Sequence, residues 1–152
     1  MFENFSDLTL QALFLAATEA RRLGREAIHT EHVLLGLLRS GKGTACEALR
    51  AQGVTLRTAR TETERQAGRG RSRLGWGPFG WGAEFPFNED VRQSFDLAAS
   101  AVSTGKVQSE HLLLGLVGID ENGASRVLAG LGVDLEDFRG RLERLSQLDA
   151  GA

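Results

Sequence analysis

Apolar residues recur three and four positions apart along most of this chain, the period of a helix with one buried face, and no stretch alternates as a half-buried strand would. Behind Ser6, the set Leu10, Leu13, Phe14 and Ala17 predicts a first helix with those residues inward. Behind Asn88, Val91, Phe95, Ala98, Ala99 and Val102 predict another. Ser6 and Asn88 suit the N-cap, where a short side-chain oxygen accepts from a free N–H of the first turn. Further helices begin at Thr30 and Ser109, each with a glutamate near the positive end of the helix dipole. Two more follow the turns Gly41-Lys42-Gly43 and Glu121-Asn122-Gly123 and end at Gly53 and Gly132, the residue type of a left-handed C-cap. The last pair spans about 56–66 and 135–148. The fold class expected is all-α, with eight helices.

These elements form a duplication. TEHVLLGLLRSGKGTACEALRAQGV aligns without a gap on SEHLLLGLVGIDENGASRVLAGLGV, and Phe5-Ser6 with the LAA at Leu15–Ala17 matches Phe87-Asn88 with the LAA at Leu97–Ala99. The second copy is three residues shorter ahead of its Glu-His pair. This divides the chain into a first repeat (1–66), a linker rich in Gly, Arg and Trp (67–86) and a second repeat (87–152), together one domain. Two such copies are expected to pack about a pseudo-twofold axis, with a ligand groove at the seam.

The 152 residues, 41% of them apolar, suffice for a core without metal or disulfide, and the single Cys46 has no internal partner. No basic-then-apolar leader and no membrane-length apolar run is present, so a cytoplasmic, membrane-independent protein is expected. A net charge of -2 gives no global field to gather nucleic acid or anionic lipid.

The doubled [TS]-E-H-[VL]-L-L-G-L block, its glycine-bearing turn, and the following A-L-x-x-x-G-V or V-L-x-x-L-G-V resemble the Clp N-terminal (Clp repeat) domain, and MFENFSDLTLQAL resembles the opening of ClpC-type unfoldases. The resemblance implies an eight-helix, pseudo-symmetric domain that receives substrates and adaptors for a Clp unfoldase and protease. It further implies recognition of phosphorylated arginine and of cyclic peptides. On that basis Phe2 and Phe87 match the aromatic positions of the ligand surface, Glu31 and Glu110 the guanidinium-binding glutamates, and Ser6 and Asn88 the caps beside the phosphate. Physically, a helix N-terminus offers N–H groups to a phosphate and a carboxylate offers two oxygens to a guanidinium. Arg92 keeps the basic residue the family places four positions after the cap, whereas Leu10 replaces it in the first repeat and Asn88 stands for the usual threonine. With no ATPase module in these residues, the expected role is a stand-alone, non-enzymatic accessory protein. It would bind peptides, adaptors or modified substrates and have a ClpC-type unfoldase or the Clp protease core as partner. The alternative is a decoy sequestering ClpC ligands.

Other chemistry is weaker. Gly36 through Gly43 approaches a phosphate-binding loop, but Gly43 replaces the required Ser or Thr and no strand precedes it. His29, His32 and His111 with Glu31 and Glu110 can be drawn as the metal site of a hydrolase. Repeat-equivalent Glu-His pairs at helix starts are more simply caps and buried hydrogen-bond donors, so no cofactor or metal is expected. Glu31 and Glu110 serve either the helix dipole or a guanidinium; Phe87 either the core or a ligand surface; Cys46 reads as an apolar filler. In the linker, Trp76, Phe79 and Trp81 follow Arg69, Arg71 and Arg73. This strip is expected to pack on the domain or a protein partner, with single-stranded nucleic acid a distant third.

Overall fold

A computed structural model describes residues 2–67 and 86–151, which form eight helices. They are α1 (Asp7–Arg22), α2 (Thr30–Ser40), α3 (Thr44–Ala51), α4 (Leu56–Ala67), α5 (Glu89–Ser100), α6 (Ser109–Val117), α7 (Gly123–Gly130) and α8 (Leu135–Gly151). Among the described residues there are two isolated β-bridges and no strand. The linker residues Trp76, Phe79 and Trp81 lie outside the described residues.

α2 and α6 form the centre. Each is apolar nearly all round, and everything from His32 to Leu38 is buried, as are Leu112, Leu113, Leu116 and Val117 in α6. A helix without a polar face must be covered on all sides. α1 covers α2 and α5 covers α6, while α7 packs on α2 and α3 on α6, each reaching into the opposite repeat.

The glycine in each Leu-Leu-Gly-Leu block explains the closeness of these pairs. A Cβ at Gly36 would collide with the Ala12 carbonyl and sit 2.8 Å from the Ala16 nitrogen. At Gly115 it would collide with the Ser94 carbonyl. Backbone therefore packs on backbone, and only small side chains fit the partner helix at the crossing. This corrects the expected inward face of α1. Ala12, Leu13, Ala16, Ala17 and Ala20 are buried, whereas Leu10 and Phe14 are 37% and 52% exposed. In α5, Val91, Phe95 and Ala98 are inward and Ala99 is exposed, and Val102, beyond the end of the helix, is half-buried.

Each first helix is followed by a return segment, residues 23–29 and 101–108, that runs back so the next helix starts beside the previous N-terminus. There the repeats exchange backbone hydrogen bonds. Ser6 N–H donates to Val107 O (3.0 Å) and Val107 N–H to Asn4 O (2.6 Å); Asn88 N–H donates to Ile28 O (3.0 Å) and Ile28 N–H to Pro86 O (2.8 Å). The two bridges are related by the repeat alignment, which is the pseudo-twofold axis expressed in hydrogen bonds. The third helices have Gln52 and Leu131 as C-caps, and Gly53 (φ 80°) and Gly132 (φ 86°) follow in the left-handed conformation.

Gly36→Ala is expected to cost about 2–3 kcal/mol, because the backbone of α1 must move to admit a methyl group. Urea denaturation of the variant measures it, and an unchanged midpoint would show that the crossing is not tight.

Candidate functional site

The N-termini of α1, α2, α5 and α6 gather at one end of the molecule, and most of the residues singled out in the sequence lie there. Ser6 Oγ accepts from Thr9 N–H (3.2 Å), and the Thr9 hydroxyl donates to Val107 O (3.0 Å). Asn88 Oδ1 accepts from Val91 N–H (3.0 Å), while its Nδ2 lies 3.0 Å from His29 Nδ1. The amide at position 88 thus caps its own helix and reaches across the seam, which a threonine hydroxyl is too short to do. The pairing of Ser6 with Glu31 and of Asn88 with Glu110 is not the one these hydrogen bonds make. The Ser6 cap is tied to the segment entering α6, and Asn88 to the segment entering α2.

Four phenylalanines join the repeats. Phe2 packs edge-on against Phe5, Phe87 and Phe95, with ring centroids 5.5, 5.9 and 5.8 Å away, and Phe87 lies 5.0 Å from Phe95. Phe5, Phe87 and Phe95 are buried, and Phe2 keeps part of its ring at the surface. Phe87 is thus a core residue that supports Phe2 from beneath. Arg92 is exposed, and its Nε donates to Phe87 O (3.3 Å), which holds the guanidinium beside the aromatic cluster.

The two glutamates differ. Glu31 is partly exposed and its carboxylate lies over the first residue of α7, where a Cβ on Gly123 would collide with it. It faces the N-terminus of a helix in the other repeat as well as that of its own. Glu110 is only 3% exposed, leaving little surface for a ligand to reach.

His32 and His111 are acceptors, not the donors the sequence suggested. His32 Nδ1 accepts from His29 N–H (2.9 Å), and His111 Nδ1 from Gln108 N–H (2.9 Å). Each ring thus takes the place of the glutamate or glutamine of a capping box. Burial, reinforced by His29 and Arg25, lowers the His32 pKa to about 3, so the ring is the neutral acceptor its hydrogen bond needs. Among the described residues, no three His, Cys, Asp or Glu side chains come together as a metal site. Cys46 is buried, with its Sγ 3.8 Å from Leu38 O.

Sequence reasoning overlooked the first residue of the Thr/Ser-Glu-His blocks. Thr30 Oγ1 accepts from Ala124 N–H (3.0 Å) at the start of α7 and donates to Asn122 Oδ1 (3.1 Å). Ser109 Oγ accepts from Ala45 N–H (3.2 Å) at the start of α3. Each block therefore caps the third helix of the opposite repeat. Gly43 (φ 94°) leaves the room, since a Cβ there would stand 2.8 Å from Ser109 Oγ. The sole signal in the sequence was the recurrence of a hydroxyl at equivalent positions.

This reciprocal architecture has a counterpart among known proteins. The model of the Clp repeat (R) N-terminal domain matches residues 4–104. The chain belongs to the Clp repeat N-terminal domain family. It is 38% identical, over its whole length, to a ClpA homologue described as the ATP-binding subunit of the ATP-dependent Clp protease of Cyanidium caldarium. It is 36% identical over 95% of its length to the chloroplastic chaperone protein ClpC2 of Oryza sativa subsp. japonica. The Clp repeats span only 18% and 15% of those two proteins, respectively. The N-terminal domain of the chaperone ClpD from Arabidopsis thaliana has the same fold, with a TM-score of 0.77 and 24% identity over 97% of this chain and 99% of that one. A chain from a structural study of a malarial protein secretion system shares it at a TM-score of 0.68, with 17% identity over 93% of both chains. Among the described residues, no helix of this Clp domain is long and apolar enough to cross a membrane.

Thr30→Val and Ser109→Ala are each expected to cost about 1–2 kcal/mol, although neither residue caps its own helix. Denaturation of the single and double variants measures this, and losses within a few tenths would show the cross-repeat caps to be idle. The His32 ring adds a pH dependence. In the unfolded chain it takes up a proton below its ordinary pKa of 6.5, whereas in the fold it does so only near 3. Stability should therefore fall as pH drops from 6.5 toward 3, by at most about 1.4 kcal/mol per pH unit from this residue. Urea midpoints between pH 7 and 5 should decline for the native sequence and less for His32→Gln; parallel curves would contradict the assignment.

Proposed function

We propose that this Clp repeat domain is a non-catalytic receptor for peptides, adaptors or modified substrates of the Clp chaperone–protease system, binding at the seam where the repeats exchange their N-terminal caps. The observation that carries the reading is the aromatic cluster contributed by both repeats. Phe2 is partly exposed above a buried floor of Phe5, Phe87 and Phe95, with Arg92 and the N-terminus of α5 at its side. A rigidly supported aromatic ring beside a cation and free helix N–H groups suits a ligand that is apolar in one part and anionic in another. Phosphoarginine-bearing peptides and cyclic peptides, which the family resemblance implies, have that character.

The geometry favours unequal use of the two repeats. Asn88 and Arg92 lie where α5 meets the entry to α2, and Glu31, near the start of α2, is the more accessible of the two glutamates although its carboxylate lies over the start of α7, whereas the opposite part has Leu10 in the basic position and the buried Glu110. One anion site, at Asn88 and Arg92, is therefore proposed in place of two, with Glu31, the glutamate of the resemblance that remains accessible, as the group that would take a guanidinium. Ser6 serves mainly to cap α1. The Clp unfoldase or protease core would be the partner to which bound cargo passes.

Calorimetric titration with free phosphoarginine and with a ClpC-binding cyclic peptide tests this. Binding of phosphoarginine should weaken about tenfold or more in Arg92→Ala and Glu31→Ala. Binding of the cyclic peptide should weaken in Phe2→Ala, with thermal unfolding confirming that each variant is folded. Absence of binding to either ligand would overturn the proposal.

A further inference from the structure

The two repeats differ around a cavity that residues at the end of α5, the end of α6 and α8 line. In the first repeat, the corresponding place holds a buried ion-pair cluster. Glu19 at the end of α1 is fully buried, and its oxygens are reached by Arg60 Nε and Nη2 (both 2.8 Å), Arg39 Nη1 (3.1 Å) and Arg22 Nη2 (3.6 Å). Burial pushes its pKa up, but the hydrogen bonds of Arg60 and the charges of Arg60, Arg22 and Arg39 outweigh this and hold it below the usual carboxylate range. Arg22 also pairs with Glu64 (3.3 Å).

The repeat alignment puts Ala101 in the place of Glu19, Gly118 in that of Arg39 and Thr104 in that of Arg22, while Arg139 and Glu143 stand where Arg60 and Glu64 do. Of the pairs Arg60–Glu19 and Arg22–Glu64 the second repeat has one member each, Arg139 and Glu143, and of the pairs that Arg39 and Arg22 make with Glu19 it has neither member. The space is not closed by repacking. A cavity of about 410 Å³ remains, lined by residues that include Leu97, Ala101, Gly118, Arg139 and Glu143. Arg139 Nη2 donates to Val117 O (2.7 Å), which fixes the guanidinium at the wall, and Arg139 has no carboxylate partner among the described residues. On the other side of Leu97 and Gly118 a second groove of about 410 Å³ is lined in part by Asp96 and Asp120. Leu97, between the two, is 44% exposed.

We infer that this cavity of the second repeat binds the carboxylate side chain of a peptide that carries a basic residue next to its acidic one. The ligand carboxylate takes the place that Glu19 holds in the first repeat and pairs with Arg139. The neighbouring basic residue is drawn to Glu143 or to Asp96 and Asp120, and Leu97 packs on the aliphatic stems. The site lies at the far end of α5 from Asn88, about 20 Å away at the helical rise per residue. It is thus separate from the seam surface and stands whether or not that surface binds ligands.

The probe is the capped peptide acetyl-Leu-Glu-Lys-amide against acetyl-Leu-Gln-Lys-amide, titrated into the whole isotope-labelled protein while the backbone amides of Ala101, Gly115 and Gly118 are followed by NMR. Saturable shifts are expected with the glutamate peptide and binding about tenfold weaker with the glutamine peptide. Arg139→Gln should remove the difference between the peptides. Ala101→Glu, which supplies the missing carboxylate from within the chain, should abolish binding while leaving the melting temperature unchanged or raised, and Phe2→Ala should leave binding intact. Equal shifts with both peptides, no shift with either, or undiminished binding in a folded Ala101→Glu variant would overturn the inference.

Discussion

Each repeat of this Clp domain leaves polar backbone groups that its own residues do not satisfy, and the other repeat satisfies them. Ala124 N–H at the start of α7 finds its acceptor in Thr30, and Ala45 N–H at the start of α3 finds one in Ser109. The segments leading into α1, α2, α5 and α6 exchange backbone hydrogen bonds in the same reciprocal manner. A buried unpaired amide costs free energy comparable with a sizeable share of a small domain's net stability. Separating the repeats would orphan several at once and expose α2 and α6, which have no polar face to turn to water. The seam is thereby a condition of the fold, and what lies on it is held in fixed geometry.

That rigidity accounts for how the surface is built. Phe2 stands on three buried rings drawn from both repeats, and the caps of α1 and α5 are each tied to the opposite half. Away from the seam the constraint relaxes, and there the copies have diverged. The first repeat has the Glu19 cluster where the second has an open cavity beside Arg139, and both keep the same close crossing, at Gly36 and at Gly115.

The helices, the duplication and the left-handed glycines were legible in the sequence, because periodicity, caps and turn residues act over a few positions. The inward face of α1 was not. Leu10 and Phe14 have the right spacing and size for a core, yet the backbone-to-backbone crossing at Gly36 admits only alanines. Reading that would have required seeing Gly36 as a contact between helices. The cross-repeat roles of Thr30 and Ser109, and the tie from Asn88 to His29, were hidden for a related reason: a hydroxyl or amide at a helix start looks the same whichever helix it serves. The histidines' role as acceptors depends on ring orientation, which no spacing rule reports. Phe2, Phe87 and Arg92, which only the family resemblance assigned to one surface, lie side by side in the structure, with Phe87 as floor and Phe2 partly exposed.

Native-state hydrogen exchange tests the mutual dependence of the repeats most directly, with the amides of Ala45 and Ala124 as reporters against those of α2 and α6. Both reporters should exchange only through global unfolding, at one opening free energy shared by the two repeats and equal to that from denaturation. A lower opening free energy for the buried amides of either repeat, with the other still protected, would show that the halves fold independently and would contradict the account.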